Sequence, residues 1–147
     1  MTYSIKDVAE IFNLSIYTIR FYDKEGLLPF VSRNKAGRRV FTESDLYLIR
    51  TICCLKDTGM EIKAIRNYVD FVMQGADTID PRKSLLLEHR AKILRDIENL
   101  TQNLNQVDSK LEIYASPKAA DIVKEQIRFV EEEKRANGLP SPYAAQK

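Results

Sequence analysis

The sequence predicts a mainly α fold, a helix-turn-helix with a β wing followed by one long helix. Three observations predict it. Apolar residues recur at helical spacing behind Ser or Thr caps in the first half, a turn-rich stretch interrupts them between Pro29 and Val40, and the second half carries a heptad seam from Leu86 to Tyr114.

Ser4 is followed by Asp7, an N-cap with an acid three residues on, and Ile5, Val8, Ala9 and Phe12 then share one helical face. A first helix is expected over residues 5–12. Asn13 and Leu14 break the run, Ser15 caps a second helix through Tyr17, Ile19 and Tyr22, and Gly26 ends it. Two short helices joined so tightly read as a helix-turn-helix. Pro29, Asn34 and Gly37 set turns among extended residues, which makes 29–40 a hairpin or wing. Thr42 with Asp45 repeats the capping pattern, and Leu46, Ile49, Ile52 and Leu55 define a third helix stopped by Gly59. Ile62, Ile65, Val69 and Val72 define a fourth, from Glu61 to about Met73. Residues 1–73 are expected to form one compact domain.

A polar connection, 75–80, leads to Pro81, which suits the first turn of a new helix. Leu86, Ile93, Leu100, Val107 and Tyr114 alternate with Arg90, Ile97, Leu104 and Leu111 over about four heptads, with Arg90 the one polar intruder. A helix over 81–115 reaches roughly 50 Å. No other segment is long enough to cover such a seam, so pairing with a second copy is favoured over folding back on the same chain. The expected dimerisation residues are Leu86, Ile93, Ile97, Leu100, Leu104, Val107 and Leu111. Ser116 and Pro117 restart a charged helix over 116–138, and 139–147 reads as a flexible tail.

The formal net charge of +2 does not by itself announce a nucleic-acid binder, but the distribution is uneven. Arg33, Lys35, Arg38 and Arg39 fall within the wing with no acid among them, a local basic stripe of the kind a phosphate backbone selects. Cys53 and Cys54 are adjacent in one helix, where disulfide geometry is out of reach, so both are expected as free thiols. The first residues lack a charged segment followed by an apolar run, and no stretch approaches 18 apolar residues. A reducing cytoplasm is therefore expected, with no membrane partner.

The segments LSIYTIRFYDKEGLLPFVSRNKAGRRVF and TESDLYLIRTICCLKDTGMEIKAIRNYV resemble the MerR family of bacterial transcription regulators over about the first 73 residues. The likeness rests on a Leu-Ser start, a Thr-hydrophobic-Arg-aromatic-Tyr-acid run, Gly-Leu-Leu, and an Arg-to-aromatic wing, in that order. The resemblance implies a winged helix-turn-helix and an antiparallel coiled coil joining two subunits. It implies a homodimer seated on double-stranded promoter DNA, which it distorts so that RNA polymerase can use badly spaced elements.

Carried over residue by residue, the family's DNA contacts fall on Thr18, Arg20, Phe21 and Tyr22 of the second helix and on Arg33, Arg39 and Phe41 of the wing. Two departures stand out. Phe21 replaces the first of the family's paired tyrosines and loses its hydroxyl, and in the wing Arg38 and Phe41 stand where tyrosines are usual, Arg38 offering a cation instead. Independently of the family, Ile16 and Ile19 face inward on the second helix, while Tyr17, Thr18, Arg20 and Phe21 project elsewhere. Arg20 and Arg39 suit phosphates better than bases, and their alternative is a solvated charge or local ion pair. Phe21 and Tyr22 are divided evenly between DNA contact and core packing.

No metal or cofactor is expected. Metal-sensing relatives carry Cys at the start of the dimerisation helix and beyond it, where this chain has none, and His89 reads as a packing or surface residue. About thirty residues follow Ser116, too few for the sizeable ligand domain of drug-binding relatives. Cys54, with LKDTGM after it, looks like the aldehyde- and redox-responsive branch of the family, which points to a stress response. At 100° per residue it lies almost opposite the Leu46, Ile49, Ile52 and Leu55 face, with Arg50 one turn earlier on its own side. Two readings of Cys54 stand level, an effector-sensing thiol and a residue packed inertly against the partner's long helix. Cys53 lies nearer the apolar face.

A second class of function, a coiled-coil interaction protein that uses its helix-turn-helix for docking, is opposed by the basic wing. A salt-dependent gel shift separates the two. An enzyme lacks support, given one His and no glycine-rich phosphate loop.

Overall fold

The computed structural model describes residues 1–143, and its elements run in the order β1 (Thr2–Tyr3), α1 (Ile5–Phe12), α2 (Ile16–Lys24), β2 (Ser32–Arg33), β3 (Arg39–Thr42), α3 (Glu43–Asp57), α4 (Ile62–Gln74), α5 (Ile79–Ala115) and α6 (Ala119–Ala136). A single 3-10 turn, Ala76–Thr78, precedes α5. The fold is mainly α, with a helix-turn-helix, a wing and a long helix of 37 residues.

Both capping boxes form. Ser4 Oγ accepts from the Asp7 amide and Asp7 accepts from the Ser4 amide, while Thr42 and Asp45 do the same for α3. These reciprocal bonds satisfy two orphan donors at each helix start. The Asp7 carboxyl is held below its ordinary value, chiefly by the backbone bond from Ser4. Asn13 adopts the left-handed conformation (φ 53°), which stops α1 and lets the Leu14 amide bond to Ala9, so the chain reverses into the Ser15 cap of α2 within two residues.

The sheet has the order β1-β3-β2, antiparallel throughout, with Thr2 opposite Thr42, Tyr3 opposite Phe41, and Arg33 opposite Arg39. The Tyr3 hydroxyl bonds to Glu43, which ties β1 to the start of α3. The added strand β1 was not visible in the sequence, because two residues give no periodicity to read.

Two compact units are formed, residues 1–94 and those from Arg95 onward. In the first, Val8, Ile19, Leu27, Phe41, Ile49, Ile52 and Ile65 are fully buried in one core. That unit continues beyond residue 73 because Leu85 of α5 packs on the core, and because His89 Nε2 lies 2.7 Å from Thr58 Oγ1 at the end of α3. The expected connection over 75–80 is shorter in the structure, since the 3-10 turn runs straight into α5 at Ile79.

In the second unit, α5 ends at Ala115 and α6 begins at Ala119, not at 116, because Ser116 and Pro117 belong to a turn in which Ser116 Oγ accepts from the Lys118 amide. Of the segment read as a tail, the Leu139 amide bonds to the Lys134 carbonyl at 2.8 Å, while residues 144–147 lie outside the described residues. Ile97, Leu100, Leu104, Val107 and Leu111 are all more than half exposed along α5. Among the described residues no helix is long and apolar enough to cross a membrane.

Candidate nucleic-acid interface

The first turn of α2 is set by Ser15, whose Oγ accepts from the Thr18 amide at 3.0 Å and lies 2.8 Å from Thr18 Oγ1. This orients the helix so that Ile19 and Tyr22 enter the core while Tyr17, at 78% exposure, and Arg20 face solvent. Phe21 lies at the boundary, its ring 6.2 Å from that of Tyr22 and 40% exposed.

The wing turn is built on Asn34. Its side-chain oxygen accepts from the amides of Ala36 and Arg38, both at 3.0 Å, and its backbone closes on Gly37 and Arg38. Such an Asx arrangement fixes the loop without a bulky side chain. Arg33 donates from Nη1 to the Gly37 carbonyl at 2.7 Å and comes within 3.7 Å of Asp23 with Nη2. Arg39 donates from Nε to Asp23 Oδ2 at 2.7 Å, and this bridge joins the wing to the last turn of α2. Both partners are largely shielded from solvent, so the pair is screened less than an open surface bridge.

These elements enclose a cleft of about 450 Å³ lined by Ser4, Ile5, Lys6, Arg20, Arg33, Gly37, Arg38 and Arg39. The structure thus brings together all four predicted arginines, from one helix and one wing. It adds Lys6 of α1, which sequence reasoning missed because α1 was read only for its apolar face. Asp23, also missed, is the internal partner that fixes the spacing of Arg33 and Arg39. Five cations thus line one open cleft, with Arg39 already paired to Asp23, an arrangement whose charge suits a polyanion.

Two expected contacts are corrected. Phe41 is 0% exposed and Tyr22 only 6%, so both rings belong to the core, and neither side chain faces the cleft. Burial also raises the Tyr22 hydroxyl above its ordinary value. Strand period puts Phe41 on the same face of β3 as Arg39, two residues earlier, but Phe41 is fully buried while Arg39 stays partly exposed at the cleft, bonded to Asp23.

The two thiols differ. Cys53 packs partly buried against the core, and burial, reinforced by Asp57, pushes its thiol up. Cys54 is exposed, and its carbonyl accepts from Thr58 Oγ1 at 2.7 Å.

A recognition helix and a wing sharing an arginine-lined cleft define a winged helix-turn-helix DNA-binding protein. Residues 3–71 match the family model for the MerR HTH family regulatory proteins. The chain is similar to an uncharacterized HTH-type transcriptional regulator of Haemophilus influenzae, 41% identical over 124 residues that cover 84% of this chain and 92% of that one. It is similar in structure to HiNmlR, a MerR family regulator lacking the sensor domain, solved bound to promoter DNA, with 41% identity, a TM-score of 0.74, and coverage of 81% of this chain and 94% of that one. A MerR family transcriptional regulator from Bacillus thuringiensis is also similar, with 40% identity, a TM-score of 0.72, and coverage of 76% and 98%. The chain belongs to the MerR family. It is a DNA-binding transcriptional regulator of that family and not an enzyme.

Proposed function

We propose that the chain acts in the cytoplasm as a homodimer joined through an antiparallel pairing of α5. In this reading it grips a pseudo-palindromic promoter with two arginine clefts and distorts it for RNA polymerase. The observation that carries the DNA half is the convergence of Arg20, Arg33, Arg38, Arg39 and Lys6 on one cleft. The exposed apolar stripe from Ile97 to Leu111 supports the dimer, since leaving several large side chains in water forgoes about 1.5–3 kcal/mol each. Twisting a promoter costs on the order of several kcal/mol, which two clefts acting together can supply.

Arg20→Ala tests the reading. Arg20 is exposed and no ion pair to an acid is recorded for it among the described residues, so its removal is expected to weaken binding across sequences and lower the salt slope by about one. Arg39→Ala is expected to act differently, loosening the wing by freeing Asp23. Fluorescence anisotropy at several salt concentrations checks both, and an unchanged affinity and slope in Arg20→Ala removes that side chain from the interface.

We further propose that Cys54 is the effector-sensing residue. An aldehyde would react there as the sulfur bonds to the carbonyl carbon and the thiol proton passes to the carbonyl oxygen, giving a hemithioacetal. The exposure of Cys54 beside the half-buried, raised thiol of Cys53 favours it as the reacting thiol. Cys54→Ser is expected to keep dimerisation and DNA binding but lose promoter activation by aldehydes, while Cys53→Ser retains it. In vitro transcription decides this, and an intact response in Cys54→Ser leaves a non-covalent effector.

A further inference from the structure

Helix α4 ends at Gly75, whose amide bonds to the Val72 carbonyl at 3.2 Å and whose φ of 92° and ψ of −159° form a conformation open essentially to glycine alone, so few of the last carbonyls have backbone partners. Arg82, reaching back from the first turns of α5, takes over. Its Nη2 donates to the carbonyls of Gly75 at 2.7 Å, Phe71 at 3.3 Å and Val72 at 3.4 Å, and its Nε donates to Thr78 Oγ1 at 3.0 Å. Thr78, itself buried, directs its hydroxyl at the carbonyls of Phe71 and Gly75. One guanidinium therefore closes the end of α4, the 3-10 turn and the start of α5 into a single hydrogen-bonded knot.

Arg82 belongs to a pattern. Arg82, Leu85, His89 and Lys92 recur at spacings of three, four and three, one face of α5, and Arg82 and His89 each bond at the end of a helix. His89 bonds to Thr58 just past α3, and a Cβ on Gly59, whose φ is +90°, would lie 2.9 Å from Lys92 Nζ. Helix C-termini carry partial negative charge, so cations are favoured there. Apart from Leu85, the seat of α5 on the DNA-binding unit is polar and directional. It lies beside the exposed stripe and does not overlap it.

We propose that Arg82 is the positioning residue that sets which half-site spacing the regulator accepts. This rests on the reading of the chain as a dimer joined through α5. In such a dimer the angle at which α5 leaves the first unit fixes the separation of the two recognition helices, and half-site spacing follows from that separation. Hydrogen bonds from a planar fork to several carbonyls hold one angle; an ammonium, a compact charge without the fork, holds a range of them.

The test uses the full chain and a duplex that the wild type enriches from a random pool, with the distance between half-sites then changed a base pair at a time. The wild type is expected to lose about tenfold in affinity on either side of its preferred spacing, and Arg82→Lys only about twofold, with affinity for an isolated half-site unchanged. Thr78→Val, which removes the hydroxyl that anchors Arg82 Nε, is expected to shift preference in the same direction and serves if Arg82→Lys does not fold. A spacing preference that survives in the folded variants overturns the role of Arg82 alone, as does a loss of affinity equal at every spacing and at the half-site. A wild type indifferent to spacing overturns the dimer reading itself and the inference with it.

Discussion

Leu100→Lys is expected to convert the proposed dimer to monomers and to reduce full-site DNA binding to that of a single half-site. Leu100 is 67% exposed on α5 and sits at the middle of the apolar stripe, with Ile93 and Val107 equally far to either side and Leu86 and Tyr114 beyond them. In the proposed antiparallel pair the two heptad rows face each other, so Leu100 packs among the Ile97 and Leu104 positions of the partner helix. Lysine there places an ammonium from each protomer in an apolar joint. Each costs several kcal/mol to bury without a counter-ion, so dimerisation is expected to weaken by about a thousandfold or more. Sedimentation at micromolar concentrations checks it. A variant that stays a tight dimer places the interface elsewhere.

Phe41→Ala is expected to abolish DNA binding by unfolding the first unit rather than by losing a contact. The ring is fully buried at the centre of the small sheet, opposite Tyr3, and truncating such a residue removes about 3–5 kcal/mol. Against a total of roughly 5–15 kcal/mol that is a large share, and the melting temperature is expected to fall by about 15 °C or more. Thermal melts followed by circular dichroism measure it, with Phe41→Leu expected to retain both fold and binding. Lost binding at an unchanged melting temperature would return the ring to the DNA interface.

Local chemistry made most of the helices legible. Ser4 with Asp7 and Thr42 with Asp45 announce helix starts through bonds that span three residues, and those bonds form in the structure. The stripe on α5 was legible for the same reason, since a heptad needs no knowledge of the rest of the chain. What the residues did not disclose was tertiary. The family pattern placed Arg39 and Phe41 together at DNA, and strand period does put both on one face of β3, but only Arg39 reaches the cleft while Phe41 is fully buried in the core. Asp23 carries no marker of its role, because the partner that gives it one lies 16 residues away on another element. The second face of α5 was hidden by the first: the heptad reading passed over Arg82 and left His89 as a packing or surface residue, because the ends of α3 and α4 that they bond to lie elsewhere in the sequence.

The bridge from Arg39 to Asp23 also bears on how much salt sensitivity the cleft can show. A tally of basic residues counts five cations there, yet one is already neutralised within the protein and a second, Arg33, lies 3.7 Å from the same carboxylate. The condensed ions sit on the DNA and leave as its phosphates are neutralised, and an arginine that stays paired with Asp23 presents less net charge to a phosphate, so it releases fewer of them than its formal charge implies. Asp23 holds Arg39 at 2.7 Å, while Arg33, bonded through Nη1 to the Gly37 carbonyl and 3.7 Å from Asp23 through Nη2, is the more weakly paired of the two. If the cleft is the DNA site proposed above, its wing arginines are already positioned before contact, and less freedom is lost on binding than a mobile cluster of the same charges would lose.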